Sequence, residues 1–165
     1  MSFKEINIKD LDENFVKIVA DEWMLVSAGD EKKYNMMTAS WGGFGEMWGK
    51  DVALTVIRPQ RYTKEFVDNN DYFSLSFYGD NKKIHGVCGK KSGRDVDKAK
   101  EANLTPCFDE KSVYFKEARL VFICKKIYCQ KIEPECFIDK DNLKWYDGDF
   151  HYSYVGEVEK VLIKE

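Results

Sequence analysis

The chain has 165 residues, a mass of 19.3 kDa and a formal net charge of −3. That size suits one domain, residues 1–165, with a single substantial core, and 44% hydrophobic with 33% charged residues is ordinary for a globular protein. The acidic balance argues against a general nucleic-acid binder, although local basic clusters remain able to hold one phosphate.

No apolar run is long enough to cross a bilayer. Met1-Ser2-Phe3-Lys4-Glu5-Ile6 has no apolar stretch of the kind a secretory signal needs, so the expected location is cytoplasmic. Asp10 to Val19 fits a short helix, while Phe15, Val16, Ile18 and Val19 suit a strand equally well. Trp23 to Ala28 reads as a strand, and Gly29-Asp30-Glu31-Lys32 as the turn of a hairpin into a second strand, Asn35 to Trp41. Gly42 to Gly49 is glycine-rich and reads as a loop. Val52 to Ile57 is a strong β run closed by Arg58-Pro59, because proline lacks the N–H a ladder needs.

Thr63 is placed to cap a short helix through Val67 that stops near Asn69-Asn70. Tyr72 to Tyr78 alternates aromatic or apolar residues with serine, as a strand does. Ser92-Gly93-Arg94-Asp95 has the form of a capping box, opening a helix that buries Val96, Ala99 and Ala102 and ends before Pro106. Val113 to Ile132 is either one long bent strand or a hairpin with a bulge near Lys125-Lys126. Val155 to Ile163 alternates as a last, half-exposed strand. This order is mostly β with short helices, which suggests a small barrel rather than a doubly wound sheet.

Two segments place cations beside a hydroxyl residue at an expected helix start. Arg58 and Arg61 lie beside Thr63, and Lys90 and Lys91 beside Ser92. Helix N-termini carry unpaired N–H groups and a positive partial charge, so such corners favour an anion. The plain alternative at each is an ordinary cap with solvated cations. Asn35, Thr38 and Ser40 offer polar groups near Trp41, which serves either as the wall of a ring slot or as core. Gly89-Lys90-Lys91-Ser92 fails the spacing of a P-loop, and Gly43-x-Gly45 with Gly49 misses the dinucleotide-binding fingerprint by one residue.

Cys88, Cys107, Cys124, Cys129 and Cys136 are an odd number with no C-x-x-C pair, which argues against a disulfide framework and a cysteine metal site. Cys88 is either a small buried residue or a thiol activated by nearby cations. Cys124 and Cys129 face opposite sides of a regular strand unless a bulge intervenes. His85 reads as structural, and with His151 it falls short of a metal ligand set.

Asn35-Met36-Met37-Thr38-Ala39-Ser40-Trp41, Arg58-Pro59-Gln60-Arg61-Tyr62-Thr63 and Ser92-Gly93-Arg94-Asp95-Val96-Asp97-Lys98, followed by His151 ahead of Gly156-Glu157, resemble in order and spacing the flavin reductase-like family of FMN-binding split barrels, which includes flavoredoxin. The resemblance runs from about Trp23 to the C-terminus. It implies a Greek-key split barrel in which Asn35 to Trp41 and Thr55, Val56 and Ile57 frame an isoalloxazine ring. It further implies that Arg58, Arg61, Tyr62, Thr63, Lys91 and Ser92, with Cys88 adjacent, hold the ribityl phosphate. Beside such a ring His151 would orient a nicotinamide or move a proton, the alternative being a structural histidine among Tyr146, Tyr152 and Tyr154.

The implied activity is NAD(P)H-dependent flavin reduction through bound FMN, in a homodimer. The alternative is a flavoredoxin-like electron carrier that serves a redox protein partner without nicotinamide turnover, and a weaker third is a flavin-binding chaperone or sensor.

Overall fold

The computed structural model describes residues 2–165; Met1 lies outside the described residues. Strands β1 (Phe3–Ile6), β2 (Met24–Gly29), β3 (Tyr34–Ala39), β4 (Gly42–Met47), β5 (Lys50–Ile57), β6 (Tyr72–Phe77), β9 (Leu120–Lys131) and β10 (Tyr152–Lys164) form one antiparallel sheet. Its order is β3-β2-β6-β9-β10-β5-β4, with β1 paired to the far end of β10. Two short strands, β7 (Pro106–Phe108) and β8 (Val113–Phe115), make a separate hairpin. The sheet curls until β3, at one end of the path, lies against β5 near the other. That seam is where the site forms.

Pleating sends alternate side chains to two cores. Along β9, Leu120, Phe122 and Cys124 face the interior with Phe73, Phe77 and Tyr154, while Val121 and Ile123 face an outer layer. The outer layer is covered by α3 (Lys82–Lys90), α4 (Lys98–Glu101) and β8. α2 (Tyr62–Asn69) drops Phe66 and Val67 into the interior. Gly156 on β10 permits a close crossing there: a Cβ would lie 2.7 Å from both Cys124 Cβ and Phe73 Cζ.

The β2–β3 hairpin forms as expected, with Val26 opposite Met37. Gly42 to Gly49 does not form a loop. It supplies β4, paired with β5 from Gly42↔Thr55 to Met47↔Lys50 around a two-residue turn in which Trp48 and Gly49 both have positive φ. Three glycines erase the side-chain alternation that would have marked the strand. Asp10 does not join a helix with Val19: Ile8–Asp10 is a separate 3-10 turn, and α1 (Phe15–Lys17), capped by the Asn14 side chain, continues into a π turn through Glu22.

Val113 to Ile132 is neither one strand nor a hairpin with itself. β8 and β9 are separate and pair with different neighbours. A bulge does fall at the expected place: Val155 pairs with Tyr128 and Gly156 with Lys126. It puts Cys129, opposite Tyr154, on the same face as Cys124, opposite Val158, although Cys124 is buried and Cys129 exposed. β10 is no edge strand, since β9, β5 and β1 all pair with it.

Candidate functional site

Two adjoining hollows of about 410 and 310 Å3 share Met37, Arg58 and Arg61 and form one groove along the seam beside β3. The larger end is polar and cationic. The smaller end is walled by Met37, Ala39, Val56, Trp41, Trp145 and His151, with Thr38 and Ser40 as its polar members.

Thr63 and Ser92 both reach the cationic end, though not as helix caps. Arg61 is the N-cap of α2 and makes no side-chain capping bond, so no side chain covers the helix's first turn. Thr63 sits inside the helix, 1% exposed, and its Oγ1 accepts a 2.9 Å hydrogen bond from Asn35 Nδ2 on β3. That leaves the Thr63 hydroxyl proton free to donate.

Ser92 lies in a turn, where its Oγ accepts from Arg94 N at 3.2 Å. The expected capping box is absent because the helix starts later: Asp97 caps α4 through a bond from Lys100 N. The Ser92 turn packs so closely on β3 that a Cβ on Gly93 would collide with Asn35 Oδ1.

The expected cations divide by their partners. Arg58 is 2.5 Å from Asp149 and also donates to Trp145 O, which ties the Trp145–Asp149 segment to the groove. Gln60 donates to the same carboxylate. Lys91 pairs with Glu101, and Arg94 with Glu65. Arg61, half-buried, has no carboxylate partner among the described residues; its Nη1 donates to Gly89 O at 2.9 Å. Lys98, 4% exposed, likewise has none, and its Nζ donates to Cys88 O at 2.9 Å.

Burial, then the neighbouring Arg58, lowers the Arg61 pKa. Burial lowers Lys98 from 10.5 to about 8, with Arg61 adding to the fall and Cys88 opposing it. Both cations lean on the C-terminal carbonyls of α3. A helix C-terminus carries roughly half a negative charge, and it faces nearly two full positive ones. The groove therefore holds a net positive charge that the protein leaves unneutralised.

Four expected residues do not line the groove. Met36 faces the outer core because it alternates with Met37, and Thr55 and Ile57 face inward because they alternate with Val56. Cys88 is fully buried against the outer layer, and burial pushes its thiol up to about 11, so it is not an activated thiolate. Sequence reasoning missed α3, Lys98, Asp149 and Trp145. Lys98 had an available signal, its place at the end of the Ser92–Lys98 segment that carries the family resemblance. Tyr62 lines the cationic end and carries the Arg94 guanidinium 4.4 Å above its ring.

His151 is 8% exposed and 3.0 Å from Tyr146 OH through Nδ1, with its ring 5.1 Å from Trp41. Burial, with the cations Arg58 and Arg61, lowers its pKa to about 4, against a smaller opposing effect of Asp149. It is therefore neutral at pH 7. Trp41 meets Trp145 edge-on at 5.8 Å; the two are 39% and 55% exposed, so this end of the groove opens to solvent.

A model of the flavin reductase-like domain matches residues 17–165, and the chain belongs to that family. No curated protein sequence matches it. Its fold is similar to the FMN-binding domain of a flavin reductase-like enzyme from Shewanella baltica, at a TM-score of 0.70 and 16% identity, over 98% of this chain and 77% of that one. It is similar to flavoredoxin from Methanosarcina acetivorans at a TM-score of 0.68 and 23% identity, over 97% and 76%. A split-barrel flavin reductase-like protein from Shewanella frigidimarina aligns at a TM-score of 0.68 and 16% identity, over 100% and 81%. These likenesses, with the strand order above, make the fold a mostly β split barrel. No helix among the described residues is long and apolar enough to cross a membrane.

Proposed function

We propose that the groove binds FMN and that the chain is an NAD(P)H-dependent flavin reductase acting as one domain over residues 1–165. The single observation that carries this is the pair Arg61 and Lys98, two buried or half-buried cations without carboxylate partners at the polar end of a groove whose other end is an aromatic slot. Burying uncompensated charge is costly unless a ligand supplies the counter-charge. A phosphate monoester does so, and the free Thr63 hydroxyl, Ser92 and the first turn of α2 add donors. Lys91 and Arg58 border the same end but already carry carboxylates, so they act at longer range.

Bound FMN would supply a ring that accepts hydride or electrons. The chain's part is to orient it. Met37, Ala39 and Val56 give an apolar floor, Trp41 and Trp145 a wall, and Thr38 and Ser40 polar contacts at the edge. His151, neutral at pH 7 and tied to Tyr146, closes one side, where it would orient a nicotinamide or move a proton. The exposed aromatic edge of the slot, at Trp41 and Trp145, is where a nicotinamide would approach.

The same exposed edge favours one second reading, an electron carrier that meets a redox protein there. Anaerobic mixing of the FMN-loaded chain with NADH and with NADPH separates them. Rapid bleaching of the visible band by either supports the reductase. No bleaching by either, with ready reduction by a low-potential protein donor, supports the carrier. The same reading includes a homodimer in the cytoplasm, for which exposed Met47, Trp48 and Tyr128 offer an apolar corner.

A further inference from the structure

Thr38 lines the ring end of the groove, and its hydroxyl is 3.0 Å from Nδ1 of His85 on α3. Gly89, a turn further along α3, allows this approach: a Cβ there would sit 3.3 Å from Thr38 Cβ. His85 is 3% exposed, and its second ring nitrogen, Nε2, is buried with no hydrogen-bond partner. Around it, the Trp23 and Tyr78 rings lie nearly perpendicular to the imidazole at 5.7 and 6.2 Å between centroids. The charged neighbours are Lys82, whose ammonium lies 4.3 Å over Trp23, and Glu22.

Burial, then Lys82, lowers the His85 pKa to about 4, with Glu22 acting weakly the other way, so the ring is neutral at pH 7. A neutral imidazole has one N–H and one bare nitrogen. A proton on Nε2 would be a buried donor with nothing to receive it, the rarer and costlier kind of orphan. A proton on Nδ1 is donated to Thr38 Oγ1 and leaves only a bare lone pair among aromatic rings.

The Thr38 hydroxyl then accepts from His85, and its own proton turns toward the groove. We infer that His85 is a positioning residue that fixes Thr38 as a hydrogen-bond donor toward an acceptor atom of the bound ligand. On the function proposed above, on which the ligand's identity rests, that atom belongs to the acceptor edge of the oxidised flavin ring.

The test begins without cofactor. In uniformly 15N-labelled, FMN-free chain at pH 7, the His85 imidazole resonances should show a protonated Nδ1 and a bare Nε2. In T38V, which removes the acceptor, neither nitrogen has a partner, so the preference for Nδ1 should be lost and the Nε2-protonated form should appear. A wild-type ring protonated on Nε2, or a tautomer indifferent to T38V, overturns the inference.

The second arm is FMN titration with the visible spectrum recorded. H85L should weaken FMN binding about fivefold, the size of one neutral hydrogen bond, and shift the band. H85N, which keeps an amide donor near the Nδ1 position, should restore both. Equal behaviour of H85L and H85N also overturns the inference. A wild-type chain that takes up no FMN sinks the flavin reading instead, and the nitrogen resonances still decide the His85 tautomer.

Discussion

Replacing Lys98 by methionine should move stability and ligand binding in opposite directions. Keeping Lys98 protonated at pH 7, when burial sets its pKa near 8 instead of 10.5, costs the empty chain about 3 kcal/mol. Below pH 8 both folded and unfolded chains carry the proton, so the whole penalty is present; it is relieved as pH rises from about 8 to 10.5. K98M removes the penalty and keeps the aliphatic stem, but orphans Cys88 O, at a cost of about 1–3 kcal/mol. The empty variant should therefore be as stable as the wild type or up to about 2 kcal/mol more so.

FMN binding should fall by the value of one charge-assisted hydrogen bond, about 1.5–3 kcal/mol, or roughly 10- to 150-fold in Kd. Urea unfolding of the empty chain and fluorescence titration with FMN measure the two effects. Wild-type affinity should also decline above pH 8 as Lys98 loses its proton, with net proton uptake on binding between about pH 8 and 9, and K98M should lack both. A K98M chain that binds FMN as tightly as the wild type, at the same pH dependence, refutes the reasoning.

Three further outcomes are expected. G156A should destabilise the chain by about 1–3 kcal/mol, because its Cβ meets Cys124 and Phe73 at 2.7 Å; denaturant melts that coincide with wild type would show that the β9–β10 crossing is looser than described. N35A should cost about 1–3 kcal/mol in stability and several-fold in FMN affinity, since it removes the bond that fixes Thr63 and the surface on which Gly93 rests; both are read by melting and titration. W41A should shift the visible band of bound FMN while leaving the melting temperature within a few degrees, because Trp41 is 39% exposed; an unshifted spectrum would put Trp41 outside the ring slot.

What the sequence shows of this fold depends on whether side chains carry the period. β5 was legible as a near-continuous apolar and β-branched run closed by Arg58-Pro59, and β6 because serines alternate with aromatic and apolar residues. β4 was not, since Gly42, Gly43 and Gly45 have no side chains to alternate, and its strand character comes from pairing with β5. α3 was hidden for a related reason: Gly86 and Gly89 interrupt a short amphipathic face made by Ile84, His85 and Cys88.

The groove's members on β3 and around Arg61 were legible by position, but the physics expected of them differed. Two helix caps were read beside cations. The chain instead leaves two sheltered cations resting on the carbonyls at the end of α3, with Thr63 bonded to Asn35. Lys98 lies 37 positions beyond Arg61 in the sequence numbering, and only the packing of α3 against β3 brings them together.

The phosphate clamp is tested most directly by comparing FMN with riboflavin, the same ring and ribityl chain without the charge, in calorimetric titrations of the wild-type chain at pH 7. FMN should bind at one per chain and survive desalting, and riboflavin should bind at least tenfold more weakly. Equal affinity for the two, or no uptake of FMN in excess, would contradict the account.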